Sequence, residues 1–111
     1  MTQQRADSVE FLHALGSLYC RGGHHERGLV FLLLAARMAP EDASILHSLA
    51  EAFIATDAAT RAIAAIDRID AISGKPDPDL SRLRSKAHWL RGREDEARAA
   101  FKDYLQARVA T

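Results

Sequence analysis

Apolar residues recur along this chain at spacings of three and four, and no stretch alternates with the two-residue period of a strand. Six helices follow from that pattern. The first is predicted over residues 8–21, where Phe11, Leu12, Leu15, Leu18 and Tyr19 make a wide apolar face. Gly22 and Gly23 close it, because glycine accepts the left-handed backbone that ends a helix. The second is predicted over 25–38 and stops before Pro40. The third, over 42–55, buries Leu46, Leu49, Ala50 and Phe53. Thr56 or Asp57 is expected to cap the fourth, over 58–72. The run from Ser73 to Pro78 is the one long connector; Asp77 is a natural N-cap, and Pro78 suits the first helical position. The fifth helix then runs to Arg91 with Leu80, Leu83, Ala87 and Leu90 on one face. Gly92 turns the chain into the sixth, over 94–109.

The pattern repeats. Leu12, Leu15, Gly16, Tyr19, Gly28, Leu32 and Ala35 recur 34 positions later as Leu46, Leu49, Ala50, Phe53, Ala62, Ile66 and Ile69. Asp57, Ala62 and Ile66 recur 35 positions later as Gly92, Ala97 and Phe101. The extra residue falls in the connector before Pro78. A period of about 34 with two helical patterns per period resembles the tetratricopeptide repeat, and the likeness runs from Val9 to Ala107. The resemblance implies an all-α fold of three tetratricopeptide-like helix-turn-helix repeats. They would span about 9–42, 43–77 and 78–111 of a single domain over 1–111, in a short right-handed superhelix with no C-terminal cap helix. It also implies that the protein binds peptides or protein partners and does no chemistry. Gly16, Gly28, Ala50, Ala62 and Ala97 fall where paired helices of such a fold cross closely.

Charge and cysteine usage narrow the partners. Fifteen basic and fifteen acidic residues leave a formal charge of zero, which offers no long-range attraction to nucleic acid or an anionic membrane. Arg82, Arg84, Lys86, Arg91 and Arg93 crowd one stretch, read either as a local basic patch or as a solvated helix face. Cys20 is the one cysteine, so no intrachain disulfide forms; that fits a reducing compartment. The polar first ten residues do not read as a signal or transit peptide, and a cytoplasmic location is expected. The longest apolar run, Leu29 to Ala36, falls far short of the ~20 residues of a membrane span, so no direct membrane insertion is expected.

In the tetratricopeptide fold the first helix of each pair lines a concave surface. Counted from the repeat positions, the inward residues are Glu10, His13, Ser17, Cys20 and Arg21, then Ser44, His47, Glu51 and Ile54, then Asp79, Arg82, Lys86 and Trp89. Spacings of three and four place each set on one stripe. Cys20, Ile54 and Trp89 are its apolar anchors among His, Glu, Arg and Lys; aromatic and arginine side chains often dominate binding at such surfaces. Trp89, the only tryptophan, either anchors a partner here or closes the end of the array as core.

Two further features point to another chain. The second helix carries an apolar surplus in Phe31, Leu34 and Met38, which either packs within the domain or awaits a partner. The array also stops without the polar closing helix that solenoid ends normally carry. Phe101 and Leu105 are expected in the core of the last repeat, with Tyr104 and Val109 left near its open end, where another chain would supply the cap.

Candidate chemistry is thin. His24, His25 and Glu26 are adjacent in a turn, so their side chains diverge rather than converge on one ion. His13 and His47 hold equivalent positions but lack a third ligand. Cys20 has no orienting acid, and a helix C-terminus raises a thiol pKa. Paired carboxylates, phosphate loops and nucleophile elbows are absent from the sequence, so no enzyme, metal or cofactor is expected.

The segments Tyr19-Cys-Arg-Gly-Gly-His-His-Glu-Arg-Gly28 and Lys86-Ala-His-Trp-Leu-Arg-Gly-Arg-Glu-Asp-Glu-Ala-Arg-Ala-Ala-Phe-Lys-Asp-Tyr-Leu105 resemble the small YscY-type chaperones of bacterial type III secretion. Length, three repeats and the missing cap helix agree with them. That resemblance implies a cytoplasmic, non-enzymatic holder of a secreted protein or export-apparatus component. Translocator chaperones of the same systems are similar but usually longer. Adaptors that grip C-terminal carboxylates use a Lys and Asn clamp, where this sequence has His13 and Ser17. The other reading is a generic scaffold that self-associates, for example as a homodimer.

Overall fold

The structure, a computed structural model, describes residues 2–110. Met1 and Thr111, the outermost positions of the expected domain, lie outside the described residues. The described residues form six helices and no strand: α1 (Thr2–Arg21), α2 (His25–Met38), α3 (Ala43–Ala55), α4 (Ala59–Ser73), α5 (Pro78–Leu90) and α6 (Glu94–Ala110). They pair as three successive hairpins, α1 with α2, α3 with α4 and α5 with α6. The hairpins stack through α2 on α3 and α4 on α5, while α3 also touches α1 and α5. The stack measures 45 × 27 × 20 Å.

Each hairpin turns in the same way. Gly23, Asp57 and Gly92 hold the left-handed backbone at φ 86°, 62° and 74°. The next amide reaches back five residues in each case: His24 N–H donates to the Tyr19 carbonyl at 2.9 Å, Ala58 to Phe53 at 2.7 Å and Arg93 to His88 at 2.9 Å. Those bonds satisfy carbonyls left free at the helix end. Asp57 closes α3 and is unavailable to cap α4. Thr56 also turns back, its hydroxyl donating to the Ala52 and Phe53 carbonyls. The expected Thr56 or Asp57 cap is therefore replaced by Ala58, which offers no side-chain bond, and α4 starts at Ala59. The connector behaves as the sequence suggests. Gly74 takes φ 64°, Asp77 accepts from Asp79 N–H at 3.0 Å, and Pro78 begins α5.

α1 begins six residues earlier than its apolar pattern indicates, at Thr2. Local and tertiary bonds extend it: Gln3 Nε2 donates to Asp7 Oδ1 at 2.9 Å, and Arg5 Nη2 donates to the Met38 carbonyl at 3.0 Å. The latter satisfies an exposed group at the end of α2.

Leu32, Leu46, Leu49, Phe53, Ile66, Ile69, Leu80 and Leu83 form the core with the interleaved alanines. Three residues expected there lie outside it. Leu90 and Leu105 are exposed, and Phe101 keeps 45% of its surface in solvent. The causes differ. Phe101 repeats Leu32 and Ile66, which are wholly buried, and among the described residues no helix follows α6 to cover it. Leu90 repeats Arg21 and Ala55, and Leu105 repeats Asp70, positions that are exposed within the stack as well. The expected face of α1 also divides. Leu12, Leu15 and Tyr19 are half-buried, whereas Phe11 and Leu18 point outward.

The first hairpin is the tightest. A Cβ added at Gly28 would lie 2.5 Å from Cys20 Sγ and 2.7 Å from the Gly16 carbonyl oxygen; one at Gly16 would lie 2.7 Å from Leu32 Cγ. In the second hairpin Ala50 and Ala62 are wholly buried at the equivalent sites. Enlarging either site forces the helices apart. Gly28→Val and Ala62→Leu are each expected to destabilise by ~1–3 kcal/mol, read as a lower melting temperature by circular dichroism against wild type.

Candidate functional site

The inner face of the stack is built from α1, α3 and α5, and side-chain bonds tie these helices together. His13 Nε2 and Ser48 Oγ are 2.8 Å apart, joining α1 to α3. His47 Nε2–H donates to Asp79 Oδ2 at 2.6 Å, joining α3 to α5. The other ring nitrogen of His47 lies 3.2 Å from Glu51 Oε1. Arg82 completes the cluster: its Nε donates to Asp79 Oδ1 at 2.6 Å, and its Nη2 sits 3.9 Å from Glu51 Oε2. The Arg82 hydrogen bond holds the Asp79 carboxyl below the usual carboxylate range; partial burial opposes it and the bond from His47 adds to it. Of the inward residues the sequence offers, His47, Glu51, Asp79 and Arg82 thus meet in one network.

Two clefts open on this face, one at each joint between hairpins. The first, of about 390 Å³, is lined by Ser17, Cys20, Arg21, His25, Ser48 and Glu51, with Leu32 and Ala52 at its base. Burial, aided by Glu51, pushes the Cys20 thiol up, so this group is a weakly polar packing surface rather than a thiolate. The second cleft, of about 370 Å³, is lined by Ile54, Arg82, Lys86, Trp89, Leu90 and Phe101, together with Ser85. Trp89 is 62% exposed, so its ring stands at the rim of this cleft and does not close the array as core. Apolar anchors beside Lys86 and the ion-paired Arg82 suit a segment that carries both apolar and polar side chains.

The remaining candidates lie elsewhere. Phe31 is half-buried, stacked on Tyr19 with ring centres 5.4 Å apart and planes at 20°. Leu34 stays exposed beside Val30 and Leu33. Tyr104 is half-buried against Phe101 at 5.8 Å, with the Arg108 guanidinium 5.6 Å over its ring. His24 meets the edge of Tyr19 at 6.3 Å. Among the described residues no three His, Cys, Asp or Glu side chains gather where they could hold an ion. Nor is any described helix long and apolar enough to cross a membrane. The basic stretch is partly matched by acids: Arg84 reaches Asp67 at 2.7 Å and Asp70 at 2.5 Å across α4 and α5, and Arg93 reaches Glu96 at 3.2 Å.

Sequence reasoning misses Ser48, Ser85 and His25 as lining residues, because each lies off the stripe that the repeat positions define. Leu90 and Phe101 are missed for a different reason. Phe101 falls in register with the buried Leu32 and Ile66, whereas Leu90 falls in register with Arg21 and Ala55, both exposed, so the repeat itself carried the sign for Leu90.

No protein-family model matches the chain. No curated protein matches it. Among solved structures it superposes on MamA AMB-1 with a TM-score of 0.81 at 17% identity, over 93% of this chain and 56% of that one. The chain thus spans little more than half the length of that neighbour. It superposes on the second tetratricopeptide domain of Spaghetti (RPAP3), solved with the HSP90 peptide SRMEEVD bound, with a TM-score of 0.79 at 15% identity, over 94% of this chain and 97% of that one. The fold is therefore of the tetratricopeptide type, all-α throughout the described residues.

The depressed Asp79 carboxyl makes a pH-dependent contribution to stability. Its ordinary value is 3.8, and the folded value lies below it. The contribution is fully present above the ordinary value and is lost as pH falls through the folded one. The Asp79 side chain is 36% exposed, so solvent screening limits the effect to ~0.2–1 kcal/mol. Urea melts of wild type and Asp79→Asn should differ by that amount at pH 7, and the difference should shrink as pH falls below the ordinary value of 3.8.

Proposed function

We propose that this chain is a non-catalytic protein-binding module whose inner face receives a segment of another protein. In this reading its three hairpins are three tetratricopeptide repeats, over about 9–42, 43–77 and 78–111, in a short right-handed superhelix without a C-terminal cap helix. The observation that carries the proposal is the second cleft. An exposed Trp89 beside the half-buried Ile54, with Lys86 and the ion-paired Arg82 along the same cleft, is an apolar anchor with a polar rim. The peptide bound to the Spaghetti domain supports the reading, since it places a protein segment on the same fold. The Lys and Asn carboxylate clamp is not part of it. His13 stands at a clamp position and is engaged with Ser48.

The finer reading is a cytoplasmic chaperone of bacterial type III secretion, which holds a secreted protein or export-apparatus component until export. The resemblance of residues 19–28 and 86–105 to the YscY-type chaperones supports it, as do the exposed apolar groups at the end of α6. Binding would cover apolar surface on both chains and stabilise both by mass action.

Co-expression with type III secretion export-apparatus proteins, followed by gel filtration, tests this reading. A stable complex is expected, and Trp89→Ala should weaken it by ~2 kcal/mol, or about 30-fold, while leaving the helical content unchanged. A chain that elutes without any such partner, or a complex indifferent to Trp89→Ala, would sink it. Quenching or shift of Trp89 fluorescence on titration gives an independent readout.

A further inference from the structure

The two ends of the stack carry exposed apolar surface at positions that are buried wherever a hairpin has a neighbour. Phe11, Ile45 and Leu80 are equivalent, 34 and 35 residues apart. Ile45 and Leu80 are buried, while Phe11 is 64% exposed. Leu18, Ala52 and Ala87 form a second such series; the two alanines are buried and Leu18 is 59% exposed. At the other end Leu32, Ile66 and Phe101 form a third, with Leu32 and Ile66 wholly buried and Phe101 exposed. The N-terminal end is thus a surface built to be preceded, and the C-terminal end a surface built to be followed.

The side chains that face each other across the joints agree with this. At the joint between the second and third hairpins Asp70 meets Arg84. The equivalent pair at the first joint is Ala36 and Leu49, both apolar. Carried forward to a joint between one copy and the next, the same pair becomes Leu105 and Leu15, again both apolar. The inner-face pair His47 and Asp79 becomes Arg82 and Glu10, which are opposite in charge, with Arg82 already bonded to Asp79 of its own copy. At the first joint His13 meets Ser48, one turn beyond the equivalent Ser44. Neither correspondence is required by the fold of one copy alone.

We propose that copies of this chain stack end to end, the C-terminal hairpin of one on the N-terminal hairpin of the next, in the register of the internal joints. Such a contact is heterologous: it uses two different surfaces and leaves one of each free, so it grows into chains or closes as a ring. The cross-section of about 27 by 20 Å gives a joint on the order of 1,000 Å² over both copies, near the lower end for specific interfaces. Assembly is therefore reversible and depends on concentration. Phe11 and Leu18 are larger than Ile45 and Ala52, so this joint is wider than the internal ones. The proposal goes beyond the inner-face function, because it concerns the ends of the stack and requires no partner protein.

Sedimentation of the protein alone tests it. The average mass of wild type should rise with concentration beyond that of a dimer. Leu18→Glu blocks one end and Leu105→Glu the other; both positions are exposed, and each variant alone should stay monomeric. An equimolar mixture of the two should give a one-to-one dimer and nothing larger, because only one compatible pair of ends remains. Phe11→Glu serves as a second N-terminal variant with the same expected outcome. A wild type that remains monomeric overturns the proposal. So does a dimer that stops at two copies and is disrupted by only one of the variants, which would mean a two-fold contact. Leu18 lines neither cleft, so Leu18→Glu should still capture a partner that binds the inner face; loss of self-association leaves that reading standing.

Discussion

The close crossing of the two helices within each hairpin is the contact on which the rest of this structure depends. Gly16 and Gly28 meet where no Cβ fits, Ala50 and Ala62 meet fully buried, and in the third hairpin Ser85 donates its hydroxyl to the Ala97 carbonyl at 2.8 Å. Small side chains at the crossing fix the spacing of the pair, because close-packed interiors do not absorb an extra methyl group without displacement. The crossing and its left-handed turn, repeated three times at intervals of 34 and 35 residues, set the angle at which hairpins stack. That angle creates a cleft at each joint and aligns α1, α3 and α5 along one face.

The inner face then divides its labour. Its polar groups mostly hold one another: His13 with Ser48, and His47, Glu51, Asp79 and Arg82 in one cluster. Such partly exposed networks contribute modestly to stability, but they align neighbouring helices. At the rim of the second cleft Trp89 is 62% exposed, while Ile54 beside it is half-buried against the core. Under the proposed function, recognition on this face rests on apolar anchors placed by a polar frame. The apolar surplus at the two ends is a separate matter, since it lies at positions the solenoid itself uses for stacking.

Much of the fold was legible in the sequence. Periodicity located six helices, with α2 matching at both ends; glycine and Asp-Pro signals placed two of the hairpin turns and the connector. The errors were physical in origin. Asp57 reads as a helix cap, yet the turn requires that residue in the left-handed conformation to close α3. The apolar pattern starts α1 six residues late because the first turns are polar and held by Gln3, Asp7 and Arg5 rather than by an apolar face. The candidate site was partly legible: the stripes on α1, α3 and α5 supply Ser17, Cys20, Arg21 and Glu51 to the first cleft and Ile54, Arg82, Lys86 and Trp89 to the second. The rest of the lining, Ser48, Ser85, His25, Leu90 and Phe101 among it, depends on how the helices stack.

The sequence by itself determined the repeat, the helix pairs and the small residues at their crossings, because these depend on interactions within about 20 residues of chain. Tertiary structure alone decided which members of each equivalent series are buried. Phe11 and Ile45, or Ile66 and Phe101, occupy the same place in the repeat, and only the presence or absence of a neighbouring hairpin separates them. It also decided the pairings of His13 with Ser48 and His47 with Asp79. Those partners are more than 30 residues apart in the chain, and the offset between stacked helices, not spacing along any one of them, brings them together.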